Sequence, residues 1–179
     1  MEKPVEVIDK IVHRQIIAEM ARVCEIANVP EQYVRRSMRG VCRDKEIEWV
    51  RSFPITREEG LAGLVIEGVA HTQTRCMAIT GTLVRNFIDA RIMSVNAVVD
   101  DHDAAVVPSA LVIPNLYIKT KDTKSALSPW QVQKVYDVLI TRFSANKPTV
   151  ICVENMQGLR TDYGNAFAEH LQEHFEFSA

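Results

Sequence analysis

The chain has 179 residues, 47% of them hydrophobic and 25% charged, and a formal net charge of −2. That length suits one domain with a real core, and the balance excludes a disordered chain, a collagen and a coiled-coil rod. No apolar run approaches the roughly 20 residues that span a bilayer, so no membrane partner is expected. Near-neutral charge leaves no global field to recruit nucleic acid, and any such contact has to use a local patch.

Residues Met1–Asp9 carry charges of both signs and no long apolar core, so no secretory leader is expected. The four cysteines, Cys24, Cys42, Cys76 and Cys152, show no Cys-x-x-Cys spacing. A zinc knuckle is therefore not expected, whereas reduced thiols in a cytoplasmic setting are. Cys76 and Cys152 fall in apolar stretches and read as small core residues.

Glu6–Ala27 reads as one amphipathic helix. Pro4 sits in or before its first turn, and Ile8, Val12, Ile16, Met20, Val23 and Ala27 share a face. Asn28 and Pro30 end it. Such a helix docks on the domain or serves as a partner-binding arm, and the pattern favours docking. Tyr33–Phe53 predicts two short helices, with Trp49 and Phe53 facing inward.

Gly63–Glu67 reads as a buried strand, Gly68–Gln73 as a loop and Thr74–Ile88 as a helix. Ile92–Val99 reads as a strand, Asp100–Asp103 as an acidic turn and Ala110–Pro114 as another strand. Ser128-Pro129-Trp130-Gln131 is a capping box with proline at the first helical position. That helix ends near Ala145, and Lys147-Pro148 leads into the strand Thr149–Val153. A last helix carries Phe167, Leu171 and Phe175. Short apolar strands alternating with amphipathic helices predict a three-layer α/β fold around a mostly parallel sheet.

The ordered set of segments resembles the DnaC/IstB-like AAA+ ATPases, the helicase loaders and transposition helper ATPases. Gly63–Gly68 (GLVIEG) resembles their strand entering a phosphate loop of the form GPxGTGKT. Ser128–Asn155 resembles their later helix and the strand of the form KPTIITTN. Tyr163-Gly164 matches their Tyr-Gly, and Val29-Pro30-Glu31-Gln32-Tyr33 resembles the lead-in to their ATPase domain. The resemblance spans Val29 to Phe175. It implies a P-loop, AAA+-like core over residues 29–179, an N-terminal helical arm over residues 1–28 and no helical lid domain.

The departures decide what activity to expect. A phosphate loop needs glycines, so that backbone N–H groups can wrap phosphate, and a lysine for charge. Here the segment is Gly68-Val69-Ala70-His71-Thr72-Gln73-Thr74-Arg75, and only its first glycine remains. Gln73 replaces the last glycine, Thr74 stands at the lysine position and Arg75 at the magnesium-binding threonine. Arg75 can offer charge to a phosphate but cannot ligate magnesium. Pro114 and Asn115 stand where the second strand carries paired acids. Glu154 occupies the sensor position, and Ala166 and His170 replace family arginines. Phosphoryl transfer depends on positioning and electrostatic stabilisation, and both are depleted.

The expectation is therefore a pseudo-ATPase with no catalytic residues, cofactor or metal. Its implied role is to bind a replicative DnaB-type helicase, as a loader or an inhibitor of loading, in bacteriophage or mobile-element DNA replication. Alternatives are a residual ATP-binding switch that uses Arg75 and a metal-dependent enzyme.

Arg35, Arg36, Arg39 and Arg43 form the strongest electrostatic cluster. Arg35, Arg39 and Arg43 share one side if a single helix continues, with Gly40 as an interruption. From Glu154 onward Glu154, Asp162, Glu169, Glu173 and Glu176 face one basic residue, Arg160. Two opposed patches suggest head-to-tail self-association, docking on a charged partner or single-stranded DNA binding by the arginines; solvated surface is the plain alternative. His170-Leu171-Gln172-Glu173-His174 matches H-x-x-E-H, yet Glu176 is the only downstream ligand on offer for a third position. Asp100-Asp101-His102-Asp103 reads first as a solvated turn and only second as a cation site. A Cys76 thiol nucleophile with His71 as base is the weakest reading, because Cys76 lies on the core face of its helix.

Overall fold

The computed structural model describes residues 6–118 and 127–178. The N-terminal stretch forms two helices, α1 (Arg14–Ala18) and α2 (Met20–Ala27), where the sequence predicts one. The cause is local. Asp9 accepts the N–H groups of Ile11 and Val12 at 2.8 and 2.9 Å, a side-chain turn that competes with helix. At Glu19 the backbone leaves helical angles. Pro4 lies outside the described residues. Ile16, Met20 and Ala27 are buried, so the stretch is docked. Asn28 closes α2 in the left-handed conformation with φ 54°.

Three short helices follow: α3 (Glu31–Arg35), α4 (Asp44–Arg51) and α5 (Phe53–Glu58). Trp49 and Phe53 are buried in an edge-to-face pair, as their spacing requires. Next come β1 (Gly63–Glu67), α6 (Thr72–Arg85) and β2 (Ala90–Ile92). Helices α7 (Val95–Asp100) and α8 (His102–Val106) precede β3 (Ala110–Tyr117). The chain continues through α9 (Pro129–Ser144), β4 (Thr149–Val153), α10 (Met156–Tyr163), α11 (Asn165–His174) and β5 (Phe175–Ser178).

Two expectations are corrected here. Ile92–Val99 is not one strand, because Ser94 accepts the Ala97 N–H and starts α7 after only three strand residues. Phe175 is not helical; it opens β5, which pairs with β1 from Gly63 opposite Phe175.

The five strands form one parallel sheet in the order β2-β3-β4-β1-β5. Alternating side chains feed two cores. Val65, Leu111, Ile113, Ile151 and Val153 face the layer of α7–α11. Leu64, Ile66, Val112, Val150 and Cys152 face the layer of α1–α6. This is the three-layer α/β arrangement that the alternating pattern predicts. No helix among the described residues is long and apolar enough to cross a membrane.

Candidate functional site

The loop between β1 and α6 lies at the carboxyl end of a central strand, the place where open parallel sheets bind ligands. Gly68 leaves β1 with φ 102° and His71 is left-handed with φ 54°. His71 stands at the second glycine of GPxGTGKT, so a side chain is held in a conformation that glycine takes freely. The first turn of α6 directs N–H groups into the loop. Among the residues 68–74 of the loop and first turn, none carries a lysine or arginine side chain. Val69, His71 and Gln73 are exposed, and Thr74 is half-buried in the lysine position.

The expectation that Arg75 offers charge to a phosphate is corrected. Arg75 is buried and points to Glu46 of α4, which is fully buried. Arg75 Nε donates to Glu46 Oε2 at 3.1 Å and Nη2 donates to Oε1. Ser178 Oγ of β5 donates to Glu46 Oε1 at 2.8 Å, and the Arg43 N–H donates to Oε2 at 3.1 Å. Burial pushes the Glu46 carboxyl up, but the hydrogen bonds from Arg75, Ser178 and Arg43 outweigh it and hold the group below its ordinary value. Arg75 therefore ties α4, α6 and β5 together. Nothing in the sequence spacing links Glu46 to Arg75.

Pro114 and Asn115, which the resemblance sets at the paired acids, have structural duties. Pro114 has no N–H, and the β3–β4 register shifts between Ile113 and Tyr117. Asn115 Oδ1 accepts the Val95 N–H at 3.0 Å and sets the start of α7. Beyond them, Tyr117 donates to Asp162 at 2.7 Å and Tyr163 donates to the Leu116 carbonyl at 2.9 Å. The two rings meet edge to face at 5.3 Å. A Cβ on Gly158 would stand 2.7 Å from the Tyr117 hydroxyl, so a larger residue there has to push that side chain aside. Glu67 accepts the Met156 N–H at 2.9 Å, and the Glu154 N–H donates to the Tyr117 carbonyl at 2.7 Å.

The arginine cluster does not form one helical stripe, because α3 ends at Arg35 and Gly40 turns with φ 80°. Arg35 pairs with Glu31 at 2.6 Å and with Glu6 at 3.3 Å. Arg43 precedes α4 and reaches the Ser178 carbonyl at 3.5 Å. Arg36 and Arg39 are exposed and, among the described residues, pair with no carboxylate. The acidic stretch is partly neutralised within the chain, Glu176 by Lys45 at 2.5 Å and Glu169 by Arg160 at 3.8 Å.

The remaining constellations separate. His170 is buried, with Phe143, Tyr136 and Phe175 around its ring, and His174 stacks on Phe143 at 4.5 Å. Burial, then the His174 charge, pushes the His170 imidazole below its ordinary value. Asp101 caps α8 by accepting the Ala104 N–H at 2.9 Å, while Asp100, His102 and Asp103 are exposed. Among the described residues, no three His, Cys, Asp or Glu side chains converge to hold a metal. Cys76 is buried with its Sγ 3.2 Å from Cys152 Sγ. The hydrogen bond to Cys152, then burial, raises its thiol. Exposed His71 is not placed to serve it as a base, and the nucleophile reading fails on geometry.

No family model and no curated protein matches the sequence. Among the solved structures that share its fold are the two that follow. One, the crystal structure of the DnaC helicase loader, gives a TM-score of 0.58 at 15% identity, over 78% of this chain and 90% of that one. The other, the crystal structure of a DNA replication initiation factor, gives 0.56 at 8% identity, over 84% of this chain and 50% of that one. The likeness establishes the fold alone, a three-layer α/β arrangement around a parallel sheet.

Proposed function

We propose that a chain with the fold of the DnaC helicase loader and a loop stripped of its charge is a non-catalytic replication protein. It binds a replicative DnaB-type helicase, as a loader or an inhibitor of loading, in bacteriophage or mobile-element replication. The observation that carries the pseudo-ATPase reading is Arg75. The one arginine in the loop segment is committed to Glu46, and no lysine stands in the segment itself. Phosphoryl transfer without loop charge, magnesium ligands or an arginine finger lacks its main stabilising terms. Binding alone can still shift a ring between closed and open states, provided that it favours one of them.

The contact surface is assigned to the N-terminal stretch. The Asp9 turn presents Ile11 at 87% and Val12 at 61% exposure, and the adjacent His13 stacks on Phe87, itself 58% exposed. Size-exclusion chromatography with light scattering, on a mixture with the helicase, tests the reading. A complex of defined stoichiometry is expected. Absence of a complex at micromolar concentrations overturns it.

The second reading, a residual nucleotide switch, draws on the retained bend at Gly68 and His71. Equilibrium binding of a fluorescent ATP analogue decides it: no binding at high micromolar protein excludes a useful switch.

A further inference from the structure

A cleft of about 590 Å³ opens between the segment after α3, helix α4 and the carboxyl end of α6, remote from the phosphate loop. Its volume falls in the range of small-molecule sites. Three guanidiniums line it, those of Arg39, Arg51 and Arg85, and, among the described residues, no carboxylate does. Met38, Ile47 and Val50 give it an apolar floor.

What sets the cleft apart is that three arginines without a carboxylate partner among the described residues meet in one place. Arg22, Arg35, Arg75 and Arg160 each find a carboxylate. Among the described residues, Arg39, Arg51 and Arg85 find none. Arg85 is also buried, and its Nη1 donates only to the Val34 and Arg36 carbonyls, at 2.7 and 3.0 Å. A buried cation held by dipoles alone is a costly arrangement. Arg142 solves the same problem differently. It is sealed in the core, where it clamps the carbonyls of Ala105, Pro108 and Pro148 and the Thr149 hydroxyl. Arg85 instead forms a wall of an open cleft, beside two exposed arginines.

We propose that this cleft binds the phosphate of a nucleoside phosphate ester, with Arg39 and Arg51 on the phosphate, Arg85 behind them and the apolar floor under the nucleoside. Guanidinium forks suit phosphate oxygens, and an anion here supplies the missing counter-charge. The same chemistry reaches the cleft from a free nucleotide or from the backbone of a single strand. The proposal does not rest on helicase binding, which is measured separately.

The test is fluorescence anisotropy with two probes, a fluorescent ADP analogue and a labelled single-stranded oligothymidylate. The proteins are the wild type, Arg39→Glu/Arg51→Glu and, as an equal charge change outside the cleft, Lys10→Glu/Lys134→Glu. At least one probe is expected to bind, to lose about tenfold or more in affinity in the first variant and to keep its affinity in the second. Nucleotide binding alone assigns a free ligand; oligonucleotide binding, alone or with it, assigns the strand backbone. Arg39→Gln/Arg51→Gln replaces the reversed pair if that variant melts early. Failure of both probes at high micromolar protein overturns the proposal. So do full affinity in the cleft variant and equal losses in both double variants.

Discussion

Arg75 and Glu46 lie on helices α6 and α4 and are each other's charge partner, both shielded from water. Removing one member of such a pair strands the other, so Arg75→Ala is expected to cost about 3–5 kcal/mol in a urea titration. Glu46→Ala/Arg75→Ala is expected to cost less than the two single losses combined. The Glu46 carboxyl sits below its ordinary value of 4.5, with burial opposing and the hydrogen bonds from Arg75 and Ser178 prevailing. Its stabilisation is therefore full above 4.5 and is lost as pH falls through the lower folded value.

His170 gives the opposite group type. Its Nε2 is buried without a hydrogen-bond partner among the described residues, and its folded value lies below 6.5, through burial first and the His174 charge second, with Glu173 opposing. Below 6.5 the unfolded chain takes up a proton that the folded chain resists. Thermal midpoints are expected to fall as pH drops from about 8 to about 5, and His170→Phe is expected to flatten that slope. An unchanged slope in the variant assigns the acid sensitivity elsewhere.

Helices α3 and α6 cross at a glycine. A Cβ on Gly81 would stand 2.4 Å from the Tyr33 carbonyl oxygen, a backbone atom that cannot step aside. Gly81→Ala is expected to destabilise by about 1–3 kcal/mol through overpacking, although alanine is the better helix former. A chemical denaturation midpoint equal to wild type contradicts the crossing.

If the N-terminal stretch meets the helicase, Ile11→Asp/Val12→Asp is expected to abolish co-migration with it. Both side chains are exposed, so the thermal midpoint is expected to change little. Retained co-migration moves the contact surface to another face.

On the proposed reading, in which Arg75 and Asn115 stand at the magnesium-ligand positions, nucleotide binding at the loop is expected to be indifferent to magnesium. A titration of the fluorescent ATP analogue with and without magnesium checks this, and a tightening of about tenfold or more contradicts it.

Much of the fold was readable because its signals are local. The runs Gly63–Glu67 and Thr149–Val153 are strands at the predicted bounds, and the Ser128 capping box opens α9. Ile92–Val99 misled because a short run rich in valine fits strand and buried helix alike; Ser94 was the available cue for a helix start. Phe175 and Phe177 carry a strand alternation too short to outweigh the helix before it. The site was less legible. Arg75 looked available until the fold brought Glu46 to it across 29 positions. The basic cleft takes its arginines from three separate segments, and the eye-catching run from Arg35 to Arg43 contributes only Arg39 to it.

The strand order has a kinetic consequence. Strand β1 precedes all other strands in the chain, yet its two neighbours are β4 and β5, the last to follow. Its backbone groups cannot be satisfied by any hairpin, and long loops have to close before the sheet's centre exists. Until then GLVIE is an unpaired apolar edge, able to pair with another chain. Refolding yield is expected to fall with protein concentration even where the native state is stable, and dilution, rather than added stability, is the remedy.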